Sequence, residues 1–195
     1  LISVVIAAPC TAGYIALAQP ILSMIYPAAS DGGLIFAMVA PTVFFSALSQ
    51  TMYGSLQGMG KIFTPALSVL CGGIAKLILN LVLIPIPSIN IYGAPIGSVV
   101  CQAVAFFVSF TVLRKNLKVK LDPMRYFIKP FIASAVMGVC AFGTEKLLRV
   151  FMGRAATLCA IAVGAAVYFA MIALLRVFRR EELSAIPFIG KRSDT

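Results

Sequence analysis

The sequence predicts an all-α membrane protein of about six transmembrane helices, and three observations carry that prediction. Of 195 residues, 61% are hydrophobic and only 11% are charged, where a soluble domain carries about 45–50% apolar and about 25% charged residues. A water-soluble core of this size has no room for the excess, so bilayer hydrocarbon must take it up. The apolar residues are also gathered into six runs, at 1–24, 33–56, 64–84, 92–113, 126–144 and 155–177. Each is close to the ~20 residues that cross a ~30 Å hydrocarbon layer. None alternates polar with apolar over its length, as a membrane barrel strand does, and in lipid a helix satisfies its own backbone groups. Finally, the basic residues fall on alternate connections between the runs.

The runs are justified in order. The first contains Pro9 and the pair Gln19-Pro20; Pro20 predicts a kink, because it removes a backbone donor. Turn chemistry closes it at 27–32. The second run contains Pro41 and ends at 57–63, with Gly58, Gly60 and Lys61. The third carries Lys76 and ends at Pro85, Pro87 and Asn90. The fourth ends in a basic segment holding Arg114, Lys115, Lys118 and Lys120. The fifth begins beside Lys129-Pro130 and stops at Glu145-Lys146, where a break of mixed sign runs over 145–154. The sixth leads into a basic tail. The expected organisation is therefore four helices over 1–113, a basic cytoplasmic loop over 114–125, two helices over 126–177 and a basic cytoplasmic tail over 178–195.

Charge sets the orientation. One set of connections holds Lys61, then Arg114, Lys115, Lys118, Lys120, Arg125 and Lys129, then Arg176, Arg179, Arg180, Lys191 and Arg192: twelve basic residues. The other set holds three, Lys146, Arg149 and Arg154. Lys and Arg are retained on the cytoplasmic side, so the start of the first helix and the tail are expected there, in the cytoplasmic membrane. The tail also carries Leu183, Ile186, Phe188 and Ile189, a composition suited to the anionic lipids of the inner leaflet and equally to a solvated tail. The net charge of +10 is thus membrane topology, and no nucleic acid is expected. The chain opens at Leu1 inside an apolar run, which is the expectation for the C-terminal part of a longer protein.

The chemistry of an enzyme is not visible. Histidine is absent, there is no phosphate-binding glycine loop, and no paired carboxylates stand inside a run. No catalytic residue, cofactor or metal is expected. The five cysteines, Cys10, Cys71, Cys101, Cys140 and Cys159, lie inside apolar runs without CxxC spacing and suit small-residue helix contacts. The GxxxG spacings Gly54–Gly58 and Gly93–Gly97 suit close helix packing within the chain.

Polar groups inside the runs are the candidate site. An ionisable group at mid-span costs ~2.5–3.5 kcal/mol on insertion scales and is a functional candidate by default. Lys76 is the clear case, roughly 18 Å from the start of its run. Asn80, four residues on, shares its helix face. Lys76 could meet an anionic substrate group, or its stem could simply pack while the ammonium finds helix carbonyls. Gln19, Gln50 and Gln102 are helix-to-helix hydrogen-bonding groups first and cavity-lining candidates second.

The segment Leu56-Gln57-Gly58-Met59-Gly60-Lys61 followed by Pro65 resembles the loop after the tenth helix of the multidrug/oligosaccharidyl-lipid/polysaccharide (MOP) flippase superfamily. The runs Lys76-Leu77-Ile78-Leu79-Asn80 and Ile84-Pro85-Ile86-Pro87-Ser88-Ile89-Asn90-Ile91-Tyr92-Gly93-Ala94-Pro95-Ile96-Gly97 resemble its polysaccharide biosynthesis branch, which includes stage V sporulation protein B. Pro9, Gly13 and Ala18-Gln19-Pro20-Ile21-Leu22 fit the preceding helix. The resemblance implies a fourteen-helix transporter of two lobes, of which this chain supplies the C-terminal half without the N-terminal lobe. It implies alternating access for a lipid-linked sugar, with basic cavity residues meeting the carrier diphosphate. Lys76 is the one such residue that carries over. A multidrug or cation-coupled efflux antiporter of the same superfamily is the second expectation, although no acidic residue stands in the predicted spans. A non-transporting membrane scaffold for cell-wall synthesis is the third.

Overall fold

A computed structural model describes residues 2–26, 32–116, 128–152 and 155–174. All secondary structure among these residues is helical. The helices are α1 (Ile2–Ala16), α2 (Ala18–Ile25), α3 (Gly33–Gly58), α4 (Phe63–Leu83), α5 (Gly93–Asn116), α6 (Lys129–Met152) and α7 (Ala155–Leu174), with a short 3-10 turn at Asn90–Tyr92 before α5. Five of them are long and apolar enough to cross a membrane, and α1 with α2 forms a bent pair that makes either a sixth, broken span or a re-entrant loop. The protein is an all-α, multi-pass membrane protein. The expected loop at 114–125 begins inside α5, which carries Arg114 and Lys115 in its last turn; its remainder from 117, and the tail at 178–195, lie outside the described residues.

The first run is not one kinked helix. It is two, bent by 74° at Leu17, whose backbone leaves the helical region (φ −110°, ψ 18°). The bend lies one turn before Pro20 because that ring crowds the carbonyl four residues back, at Ala16, and offers it no N–H. The fifth run also differs. It does not stop at Glu145-Lys146, since α6 continues to Met152. Glu145 and Arg149 sit one turn apart on this helix, 3.8 Å from each other, so Glu145 belongs to a charge pair along one helix face and does not end the helix.

The helices pack in a row, in the order α4, α5, α3, α1, α6, α7, each chiefly against its neighbour in that row, while α2 folds back against α3. The middle of the row is held by Val4, Leu48 and Phe106, with Phe44, Phe45 and Phe110 packed on them. Ser3 of α1 and Thr51 of α3 share a hydrogen bond of 2.7 Å. The outermost helix α4 buries one stripe, Pro65, Ser68 and Gly72, and exposes Phe63, Leu67, Leu70, Leu77 and Leu81. Such a surface is stable only against lipid or further protein.

Candidate functional site

The α4–α5 contact is built from small residues. The Ser109 hydroxyl donates to that of Ser68 at 2.9 Å, both buried, and Ser68 donates onward to the Thr64 carbonyl at 2.8 Å. A Cβ on Gly72 would run into the carbonyl oxygen of Cys101, and its carbon lies at 3.2 Å. Farther along, Gly93 packs on Leu83 and Ile84. Gly97 receives the Asn80 side chain, and the Lys76 Cγ lies 3.5 Å from where a Gly97 Cβ would stand. The Gly93–Gly97 spacing therefore does what small-xxx-small spacing does, letting two backbones approach. Gly54 and Gly58 meet nothing within 4 Å, so that second spacing is not a packing motif among the described residues.

Lys76 and Asn80 are brought together one turn apart, as helical spacing requires. Both are half-buried. The Asn80 Oδ1 is buried without a hydrogen-bond partner, and no described residue gives Lys76 an ion pair or hydrogen bond. The buried, unpartnered Asn80 amide oxygen and the half-buried Lys76 one turn away form a polar spot on an apolar helix pair, able to take a ligand with both an anionic and a donor group.

The three glutamines do not join this spot. Gln102 is half-buried on α5, five positions after Gly97 and thus roughly 140° round that helix from it. Gln50 is exposed on α3, next to Ser49, whose buried hydroxyl has no partner. Gln19 of α2 lies against Gly33 at the start of α3, where a Cβ would stand 3.0 Å from the Gln19 Cα. That is the helix-contact role expected first for a glutamine in a span.

The row holds two further features that sequence reasoning missed. One is an apolar groove of about 610 Å³ between α1, α2, α6 and α7, lined by Val5, Leu17, Met137, Ala141, Gly164 and Phe169 among others and by no charged side chain. Its volume is that of a site for a drug-sized or long-chain molecule. Its walls are α1, α2 beyond the bend at Leu17, and the α6–α7 hairpin. Cys10 lines it and is exposed, so this cysteine does not serve a helix contact. The other feature is Glu145, 5% exposed and inside a helix that qualifies as a span from Lys129 to Arg149. An acidic residue therefore does stand in a span. The signal that could have found it is the Glu145–Arg149 spacing, which a helix can neutralise internally.

Comparison with known proteins agrees with this membrane architecture and leaves the chemistry open. No family model matches the chain, and no solved structure matches it. It is 29% identical over 191 residues to the uncharacterized membrane protein YabM of Bacillus subtilis (strain 168), covering 94% of this chain and 35% of that protein. It is 25% identical over 170 residues to stage V sporulation protein B of the same organism, covering 83% of this chain and 32% of that protein. The chain, which spans about a third of the length of these curated relatives, is thus a multi-pass helical membrane protein similar to Bacillus membrane proteins.

Proposed function

We propose that the chain is part of a flippase that carries a lipid-linked oligosaccharide or cell-wall precursor across the cytoplasmic membrane. The observation that carries this reading is Lys76, a half-buried cation on a membrane span with no partner among the described residues. A cation so placed is costly unless an anionic ligand or water-filled cavity meets it, and a phosphate-bearing headgroup supplies the charge. The apolar groove adds a surface suited to a long hydrocarbon chain. The similarity to a protein named for sporulation supports a cell-envelope setting. The site would be completed by upstream helices of the same protein, and the basic tail would rest on anionic lipids. Two lobes rocking about a central cavity would provide alternating access. The test is the full-length protein carrying Lys76→Ala: flipping or genetic complementation should fall while expression and Tm hold. Unchanged flipping removes Lys76 from the site.

The orientation is part of the proposal. Reporter tags after Lys120 and after Ser88 should report opposite compartments, with Lys120 cytoplasmic; the same compartment for both would overturn the topology.

A second reading, a cation-coupled efflux antiporter, is favoured by one observation, the burial of Glu145 in a span. Membrane carboxylates commonly relay protons or cations. Drug export that depends on an ion gradient and is lost in Glu145→Gln would support this reading over the first.

A further inference from the structure

Two prolines interrupt the hydrogen-bond ladder of the first span, and their consequences differ. Pro20 deprives the Ala16 carbonyl of its donor, no hydroxyl among the described residues replaces it, and the chain breaks by 74°. Pro9 deprives the Val5 carbonyl in the same way, yet α1 runs unbroken from Ile2 to Ala16. A helix proline does not by itself force a break, since α3 runs unbroken from Gly33 to Gly58 through Pro41; at Pro9, however, the bereft carbonyl has a partner in Tyr168. Its hydroxyl, on α7, donates to the Val5 carbonyl, with Val5 7% and Tyr168 5% exposed. The bond is thus made out of reach of water, where an unmet carbonyl is most costly. Ser134 of α6, 2% exposed, neighbours the same hydroxyl and donates its own proton to the Pro130 carbonyl at 2.7 Å.

The placement of this bond matters as much as its chemistry. The helices α1 and α7 otherwise touch little, because α6 lies between them. One hydrogen bond therefore ties the outermost helix of the row to the point where α1 is weakest. Val5, Pro9, Cys10 and Tyr168 all line the apolar groove.

We propose that the Tyr168–Val5 bond is the catch of a hinge at Pro9. While it is made, Tyr168 stands in for the N–H that Pro9 lacks and α1 stays straight. When it breaks, α1 bends at Pro9, α7 moves away from it, and the groove widens. The inference rests on the bond and the proline, and it does not depend on what the protein transports.

The test uses the full-length protein in detergent micelles, with Cys10 as the sole cysteine. Cys10 is exposed, lies one residue past Pro9 and lines the groove, so its rate of maleimide labelling reports opening there. Tyr168→Phe should raise that rate severalfold and lower Tm. In a Pro9→Ala background residue 9 regains an N–H for the Val5 carbonyl, so adding Tyr168→Phe should leave both readouts close to those of Pro9→Ala alone. An equal effect of Tyr168→Phe in both backgrounds overturns the proposal. So does an unchanged labelling rate in the single variant, which would leave a structural bond without a hinge. Should Tyr168→Phe alone fail to fold, recovery by Pro9→Ala supports the catch, and failure of the double variant overturns it.

Discussion

The row of helices ends in a hairpin on each side, and the two hairpins close differently. At one end, α4 meets α5 through Gly72, Gly97 and the Ser68–Ser109 pair, so closely that a Cβ on Gly72 would strike the backbone of Cys101. At the other end, α7 meets α6 where a Cβ on Gly164 would stand 3.2 Å from the Ala141 Cβ and 3.6 Å from the Met137 Cγ. These are side-chain contacts that can give. Close backbone approach leaves no volume but strands a polar atom, the Asn80 amide oxygen, one turn from Lys76. The looser end satisfies its polar atoms, Tyr168 bonding Val5, but leaves a groove. In lipid there is little hydrophobic drive between helices, so small-residue packing and hydrogen bonds decide where they meet.

The contrast is sharpened by five substitutions and their comparison variants, the largest effect first. Lys76→Ala should reduce transport by roughly tenfold to a hundredfold, the ~1.5–3 kcal/mol of a hydrogen bond to a charged group, and Lys76→Arg should retain part of it; an anion-export or flipping assay on the full protein decides. Gly72→Ala should cost about 1–3 kcal/mol by overpacking, read as a lower Tm in micelles. The obstacle is the Cys101 carbonyl, which cannot rotate aside. Gly164→Ala should cost less than Gly72→Ala, and equal costs would break the distinction between the two hairpins. Arg149→Ala should cost at most about 1 kcal/mol, because its side chain is 59% exposed and screened. It should nevertheless exceed Glu145→Gln, which removes the buried charge instead of orphaning it. At the bottom of the scale, Gly54→Ala should change stability by no more than about 0.5 kcal/mol, since nothing lies within 4 Å of the added carbon.

Much of the fold was legible from composition and spacing. The stretches 33–56, 64–84 and 92–113 agree with α3, α4 and α5 to within a few residues, because turn residues and charges mark their ends. Lys76 and Asn80 were legible as a pair for the same reason, helical spacing. The first and fifth stretches were not. Pro20 signalled a kink, but how far a helix bends at a proline depends on what packs around it, and the neighbours of α1 and α2 are distant in sequence. Glu145 looked like a terminator because charges usually end spans, whereas burial between helices and Arg149 one turn on allow it inside one.

By itself the sequence determined the solvent, the apolar stretches long enough to cross it and which residues are polar within them, since those follow from the amount and spacing of apolar side chains. Only the tertiary structure decided the order of the row, the groove between α1 and the α6–α7 hairpin, and the company kept by Glu145 and Tyr168. The physical reason is that a membrane helix is apolar on every side. Its pattern therefore does not say which face meets another helix. That choice falls to glycines, serines and orphaned carbonyls, whose partners lie far away along the chain.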